Sequence, residues 1–190
     1  QERAADILAR HGVPADGRCL GICVRPWPTA AQFSSTVAAL ADGLSEDLAA
    51  HVVLVPFHPQ TDVPLCQQIA AQMRRPAAVL PGPLSPRDAL GVIAQLDLLV
   101  GMRLHSLIFA AVAGVPLLGI SYDPKVDAFL DSLGLQPAAS AEALDTAALR
   151  AAAQEAIAPP EGERQRVRER LERAKQAAQR SISTALRLLD

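Results

Sequence analysis

Arg103 and His105 sit two residues apart in "LDLLVGMRLHSLIFAAVAGVPLLGISYDPK", Leu96 to Lys125, a stretch that is otherwise almost wholly apolar. A guanidinium holds anions, and an imidazole passes protons near neutral pH. The pair therefore suits acid–base chemistry on an anionic substrate. The alternative is a core arginine bonded to backbone carbonyls, since an unpaired buried charge is costly and demands a partner. Three further clusters carry the same kind of groups. Arg25 precedes Trp27 in "VRPWP", where flanking prolines set a rigid turn. Its guanidinium can fork onto a carboxylate or phosphate, or stack on Trp27. His58 lies in "PFHPQTD", with Asp62 shortly after. It reads either as a site residue or as a hydrogen-bonded loop histidine. Tyr122, Asp123 and Lys125 close the stretch. Asp123 suits a helix N-cap, and Lys125 either meets an anionic ligand or is solvated. His11 and His51 read as structural or exposed.

The elements that must position these groups alternate along the chain. "RCLGICVR", "HVVLVPF", "AAVL", "LDLLVG" and "VPLLGISY" read as strands. Between and after them come helical patterns: "AAQFSSTVAALADGLSEDL", "VPLCQQIAAQM", "SPRDALGVIAQL", "LHSLIFAAVAG" and "DPKVDAFLDSLG". Ser85 and Pro86 make a good helix start, and Gly114 and Gly134 good stops. Five strand–helix pairs predict a parallel α/β sheet covered on both faces, Rossmann-like and doubly wound. Ligands of such sheets bind outside the carboxyl ends of the strands. Arg25, His58, Arg103, His105, Asp123 and Lys125 all fall there.

Composition narrows the chemistry. The 190 residues are half hydrophobic, with net charge −2 and pI about 6.1. A nucleic-acid partner is not expected from that balance. Three cysteines, Cys19, Cys23 and Cys66, read as buried reduced thiols. There is no G-x-G-x-x-G after the first strand, no Walker A loop and no H-E-x-x-H, so neither a dinucleotide nor a metal is expected. The longest apolar run, "LIFAAVAGVPLLGI", is broken by Gly114 and Pro116, so no transmembrane segment is expected. The chain opens on Gln1 rather than Met, without a signal-peptide pattern, directly into the helical "ERAADILARHG". The expectation is a piece of a longer protein.

Two regions are expected: 1–135, the Rossmann-like domain, and 136–190, helices that pack on it or on a domain absent from this chain. "TAALRAAAQEAIA" is one such helix. From Glu161 to Asp190 a long helix carries a narrow stripe of Val167, Leu171, Ala174, Ala178, Ile182, Ala185 and Leu189 among Arg and Glu.

"GMRLHSLIFAAVAGVPLLGISYDPKVDAFLDSLG" resembles the C-terminal part of bacterial polysaccharide pyruvyl transferases, in particular the CsaB type. "GICVRPWP" and "VVLVPFHPQTD" are similar to that family's strand ends. The resemblance spans roughly Gly17 to Leu135 and is most specific from Gly101 to Lys125. It implies the C-terminal half of a GT-B-like fold, with an N-terminal domain missing. It also implies a transferase that moves the pyruvyl group of phosphoenolpyruvate onto two hydroxyls of a cell-wall or exocellular polysaccharide sugar. The implied product is a pyruvate ketal. Phosphoenolpyruvate is then the donor substrate, no further cofactor is expected, and the acceptor precursor is lipid-linked or free. The implied location is cytoplasmic, at the inner face of the membrane where the acceptor is lipid-linked. A role in S-layer anchoring goes with that family. Family members hold phosphoenolpyruvate with an arginine, matched here to Arg25, and with the Leu-His of an R-L-H motif, Leu104-His105. The resemblance makes His105 and Arg103 the catalytic candidates, with Arg25, Leu104, His58, Asp123 and Lys125 around the substrate.

Two other classes compete with this reading, the first through the same strand ends. One is the nucleotide-sugar-binding domain of a GT-B glycosyltransferase. The other is a non-catalytic Rossmann-like module that interacts through its C-terminal helix.

Overall fold

The computed structural model describes residues 2–27, 32–82 and 84–187. Pro28, beside Trp27, and the expected helix start at Ala30 lie outside the described residues. Among the described residues there are six strands: β1 (Arg18–Cys23), β2 (Ala50–Leu54), β3 (Ala77–Val79), β4 (Leu98–Gly101), β5 (Leu117–Ser121) and β6 (Ala139–Ser140). All pair in parallel, in the order β3-β2-β1-β4-β5-β6. The chain winds outward from β1 to β3, then returns to β4 on the other side of β1. The order reverses between β1 and β4, the point where doubly wound sheets open a crevice.

The helices are α1 (Glu2–Arg10), α2 (Phe33–Leu48), α3 (Pro59–Gln72), α4 (Pro86–Ile93), α5 (Leu104–Ala113), α6 (Pro124–Leu133), α7 (Thr146–Ile157) and α8 (Glu163–Arg187). Strand residues alternate between two cores. Leu20, Ile22, Val52, Leu54, Leu98 and Val100 meet α2, α3 and α7 on one face. Cys19, Cys23, Val53, Leu99 and Leu117 meet α1, α4, α5, α6 and the first half of α8 on the other. Period-two alternation of side chains, with both faces covered, makes each strand apolar throughout.

Local signals set most boundaries. The Ser85 hydroxyl caps α4 by accepting from the Asp88 N–H, 3.1 Å. Asp123 caps α6, accepting from the Lys125 N–H at 3.0 Å. Gly114 ends α5 at φ 73°, a left-handed conformation open to glycine. Two elements differ from expectation. Helix α3 starts at Pro59 rather than Val63. Pro59 suits the first helical position, and the Asp62 carboxylate takes up backbone N–H groups at the helix start. Strand β6 was not expected at all. It has two residues and is held beside β5 by backbone bonds such as Ala141 N–H to Ser121 C=O, 2.8 Å. Beyond Leu135, then, the chain still adds a strand to the sheet, and Leu149 and Ala153 of α7 are buried against α2.

Helix α8 divides. Leu171 is buried and Val167 partly so, but every described side chain from Gln176 to Thr184 is exposed, including Ile182 at 61%. Ala185 and Leu189 of the expected stripe lie outside the described side chains. No helix among the described residues is long and apolar enough to cross a membrane.

Candidate functional site

Arg103 is where β4 ends and α5 begins. It occupies the N-cap position in an extended conformation, and among the described residues no side chain caps the helix. The N–H groups of a helix's first turn lack intrahelical partners and carry partial positive charge. Those of Leu104 and His105 therefore open toward the strand ends. Gly101 allows this close approach: a Cβ there would lie 2.9 Å from Ser106 Oγ.

The Arg103 side chain does not point freely into the crevice. Its Nε donates to Asp62 Oδ2 at 3.0 Å, and its Nη2 donates to Asp62 Oδ1. Nη2 also reaches Thr61 Oγ1, 3.3 Å. Asp62 is fully buried and saturated: it further accepts from the N–H groups of Phe57 and His58 and from the Thr61 hydroxyl. This is the partner that a semi-buried arginine requires. It comes from the helix after β2, and β1 lies between β2 and β4 in the sheet. The Arg103–Asp62 pair thus spans the carboxyl end of β1. Below it lies Cys23, whose thiol burial pushes up to about 12; a Ser106 hydrogen bond acts in the opposite sense.

The His105 side chain is exposed and makes no hydrogen bond among the described residues. It stands at the mouth of a cavity of about 240 Å³ lined by Pro56, Phe57, Leu84, Pro86, Ala89 and Phe109. Phe57 and Phe109 meet there at 5.8 Å between ring centroids. His58 is also exposed, its Nδ1 3.1 Å from Thr61 Oγ1. It belongs to the same loop that Asp62 organises.

Arg25 emerges from β1, on the other side of the switch point. Its guanidinium lies 5.0 Å from the centroid of Tyr122, not on Trp27. Trp27 meets Tyr122 instead, centroids 5.7 Å apart at 71°. Arg25 Nε is buried without a hydrogen-bond partner among the described residues. Next to Tyr122, Asp123 is held below the usual carboxylate range by the Lys125 N–H, and then by the Lys125 ammonium at 3.1 Å. The charge of Arg25 adds to this.

The strand ends of β1, β4 and β5 therefore bring together Arg25, the amino end of α5 with Leu104 and His105, and Tyr122–Asp123–Lys125. His58 joins through the Asp62 network. Asp62 and Thr61 were not singled out as partners of Arg103 by sequence. The one available signal was that Arg103 needed a counter-charge. Among the described residues no group of three or more His, Cys, Asp or Glu is arranged to hold a metal ion.

A comparison with curated proteins found no match. Solved structures show the same fold. A family 9 glycosyl transferase of Veillonella parvula superposes with a TM-score of 0.62 at 15% identity, covering 83% of this chain and 52% of its own. The α,α-trehalose 6-phosphate synthase of Burkholderia multivorans gives 0.54 at 16% identity, covering 99% and 48%. The glycosyltransferase SnogD of Streptomyces nogalater gives 0.52 at 20%, covering 89% and 44%. The chain thus spans about half the length of these proteins, and its doubly wound sheet is the kind found in GT-B glycosyltransferases. The family model for polysaccharide pyruvyl transferases matches residues 10–124, from the end of α1 to the start of α6, and includes Arg25, His58, Arg103, Leu104, His105 and Asp123. The chain belongs to the polysaccharide pyruvyl transferase family.

Proposed function

We propose that this chain is the phosphoenolpyruvate-binding half of a pyruvyl transferase that forms a ketal on a polysaccharide sugar. The observation that carries the reading is the uncapped amino end of α5, bearing Leu104 and His105, across the switch point from the unpaired Arg25 Nε. Phosphoenolpyruvate has a carboxylate and a phosphate, and cations and free N–H groups in one crevice suit both.

The reaction balances as follows. A proton adds to the methylene carbon of the enol, which becomes a methyl group. The adjacent carbon turns electrophilic, and a sugar hydroxyl adds to it. The carbon–oxygen bond to phosphate breaks, and the second hydroxyl closes the ring. Two hydroxyl protons are lost in all. In net terms one replaces the proton given to carbon and the other leaves on phosphate.

His105, exposed at the crevice, is the acid for the methylene carbon or the partner of the departing phosphate. Arg25 binds the anion, with Lys125 nearby on the β5 side. Arg103 is engaged by Asp62, so its role is positioning: it fixes the first turn of α5 and the loop bearing His58. Asp123 caps α6 and holds Lys125. The acceptor is a wall or exocellular sugar, lipid-linked or free. The other half of the crevice comes from an N-terminal domain beyond this chain.

The test is an assay of the full-length protein with phosphoenolpyruvate and disaccharide-lipid acceptors, following phosphate release. Ketal formation with stoichiometric phosphate is expected. The fold is also that of nucleotide-sugar enzymes, so a thermal-shift panel is informative. Stabilisation by UDP-sugars and not by phosphoenolpyruvate would overturn the reading.

A further inference from the structure

The chain has one tryptophan and one tyrosine, and the fold places them against each other at the mouth of the crevice. Trp27 follows β1 and Tyr122 follows β5, so the two rings meet across the end of β4, which lies between those strands. We propose that Trp27 and Tyr122, set edge to face, form an L-shaped aromatic platform against which the pyranose ring of the acceptor sugar packs, beside the Arg25 anion site. The proposal rests on the pyruvyl-transfer reading above and assigns the acceptor side of it.

Three observations carry it. Both rings are only partly buried, although each packs its inner side on the core. The Trp27 indole N–H and the Tyr122 hydroxyl have no hydrogen-bond partner among the described residues, and neither is buried. Rings buried for packing find partners for their polar ends; these two keep theirs open, where a ligand's hydroxyls can meet them. Finally, the orientation of Tyr122 is held from two sides, by the Arg25 guanidinium at 5.0 Å and by the Trp27 ring at 71°. A pyranose has an apolar C–H face and a rim of hydroxyls. A fixed aromatic corner, two rings at 71° to each other with free N–H and O–H donors at their edges, offers a ring to the C–H face and donors to the hydroxyls. Position matches too. The attacking hydroxyls must reach the carbon of a donor held at Arg25, and Arg25 touches the platform itself.

Trp27 is the chain's only tryptophan, so its emission reports on the platform directly. The experiment titrates the chain with methyl galactopyranoside, methyl mannopyranoside and methyl N-acetylglucosaminide. Trp27 fluorescence and ligand-observed saturation-transfer NMR are the readouts. Phosphoenolpyruvate binding is followed separately by calorimetry. At least one glycoside should change the emission saturably, with saturation transfer concentrated on the C–H protons of one ring face. Trp27→Ala and Tyr122→Ala should each weaken that glycoside roughly tenfold. Trp27→Phe, which keeps a ring, should retain binding by NMR and controls for misfolding. Phosphoenolpyruvate binding with no glycoside response would overturn the platform and leave the donor site standing. Glycoside binding unchanged in both alanine variants would overturn it as well. A glycoside response without phosphoenolpyruvate binding would uphold the platform as a sugar site and sink the donor assignment instead.

Discussion

Arg103 and Asp62, 41 residues apart in sequence, are joined by two hydrogen bonds across the carboxyl end of the central strand β1. The carboxylate is fully buried and the guanidinium side chain is 21% exposed. Such a pair is a poor source of net stability but expensive to halve, because the survivor is a buried, uncompensated charge. Asp62→Ala should therefore cost about 3 kcal/mol, and Arg103→Ala a similar amount. The double variant should cost clearly less than their sum. Denaturant melts in a double-mutant cycle check this; additive losses would mean that the two side chains are not coupled.

His105 stands apart from that network. Its side chain is exposed and makes no hydrogen bond among the described residues. His105→Ala should change stability by less than about 0.5 kcal/mol, while pyruvyl transfer by the full-length enzyme falls roughly 100-fold or more. Undiminished turnover in a well-folded variant would remove His105 from the chemistry.

For Arg25 the informative comparison is between charge and shape. Arg25→Met keeps an apolar stem on Tyr122 but removes the cation. The KM for phosphoenolpyruvate should rise about tenfold or more, with kcat less affected. A KM equal to that of the parent enzyme would assign Arg25 to packing alone.

Asp42 offers a pH test outside the site. Burial would raise its carboxyl pKa, but N–H groups of Arg74 and Arg75, at 2.9 and 3.0 Å, outweigh that and hold it below the usual 3.8. As pH falls, the unfolded chain takes up this proton first. The stabilisation is complete above pH 3.8 and is lost below it, as pH passes the folded value. Asp42→Asn should lower stability at pH 7 and flatten the decline of stability below pH 3.8. Melting temperatures across pH 2.5 to 7 provide the measurement; parallel curves would refute the linkage.

The cysteines should be silent in the native state. Cys19, Cys23 and Cys66 are buried, and desolvation pushes Cys23 and Cys66 up to about 12. Thiolates are the reactive form, so iodoacetamide at pH 8 should label the protein only as fast as it unfolds. Rapid labelling of one thiol in folded protein would contradict this burial.

What could be read from sequence was local. Ser85, Asp123, Gly114 and Gly134 announce helix ends because capping involves neighbours a few residues apart. Arg103 and His105 stood out because charge inside an apolar run is costly. The partners were not legible. Asp62 reaches Arg103, and Trp27 reaches Tyr122, only because β1 lies between β2 and β4 and β4 lies between β1 and β5. Strand order is set by long-range packing and leaves no local pattern. "HPQTD" carries no apolar periodicity, so the helical pattern shows only from Val63, yet Pro59 and Asp62 start α3. Strand β6 escaped because two residues, Ala139 and Ser140, carry no periodicity.

All strands run the same way, which gives the sheet a working end and an idle end. The turn between α1 and β1, with exposed Asp16, lies at the idle end. The six residues of β1 separate it from Arg25 by about 20 Å. A fluorophore, affinity handle or surface tether introduced at Asp16 would leave the crevice facing outward. Immobilised arrays of this chain could then be presented to candidate glycans in one defined orientation.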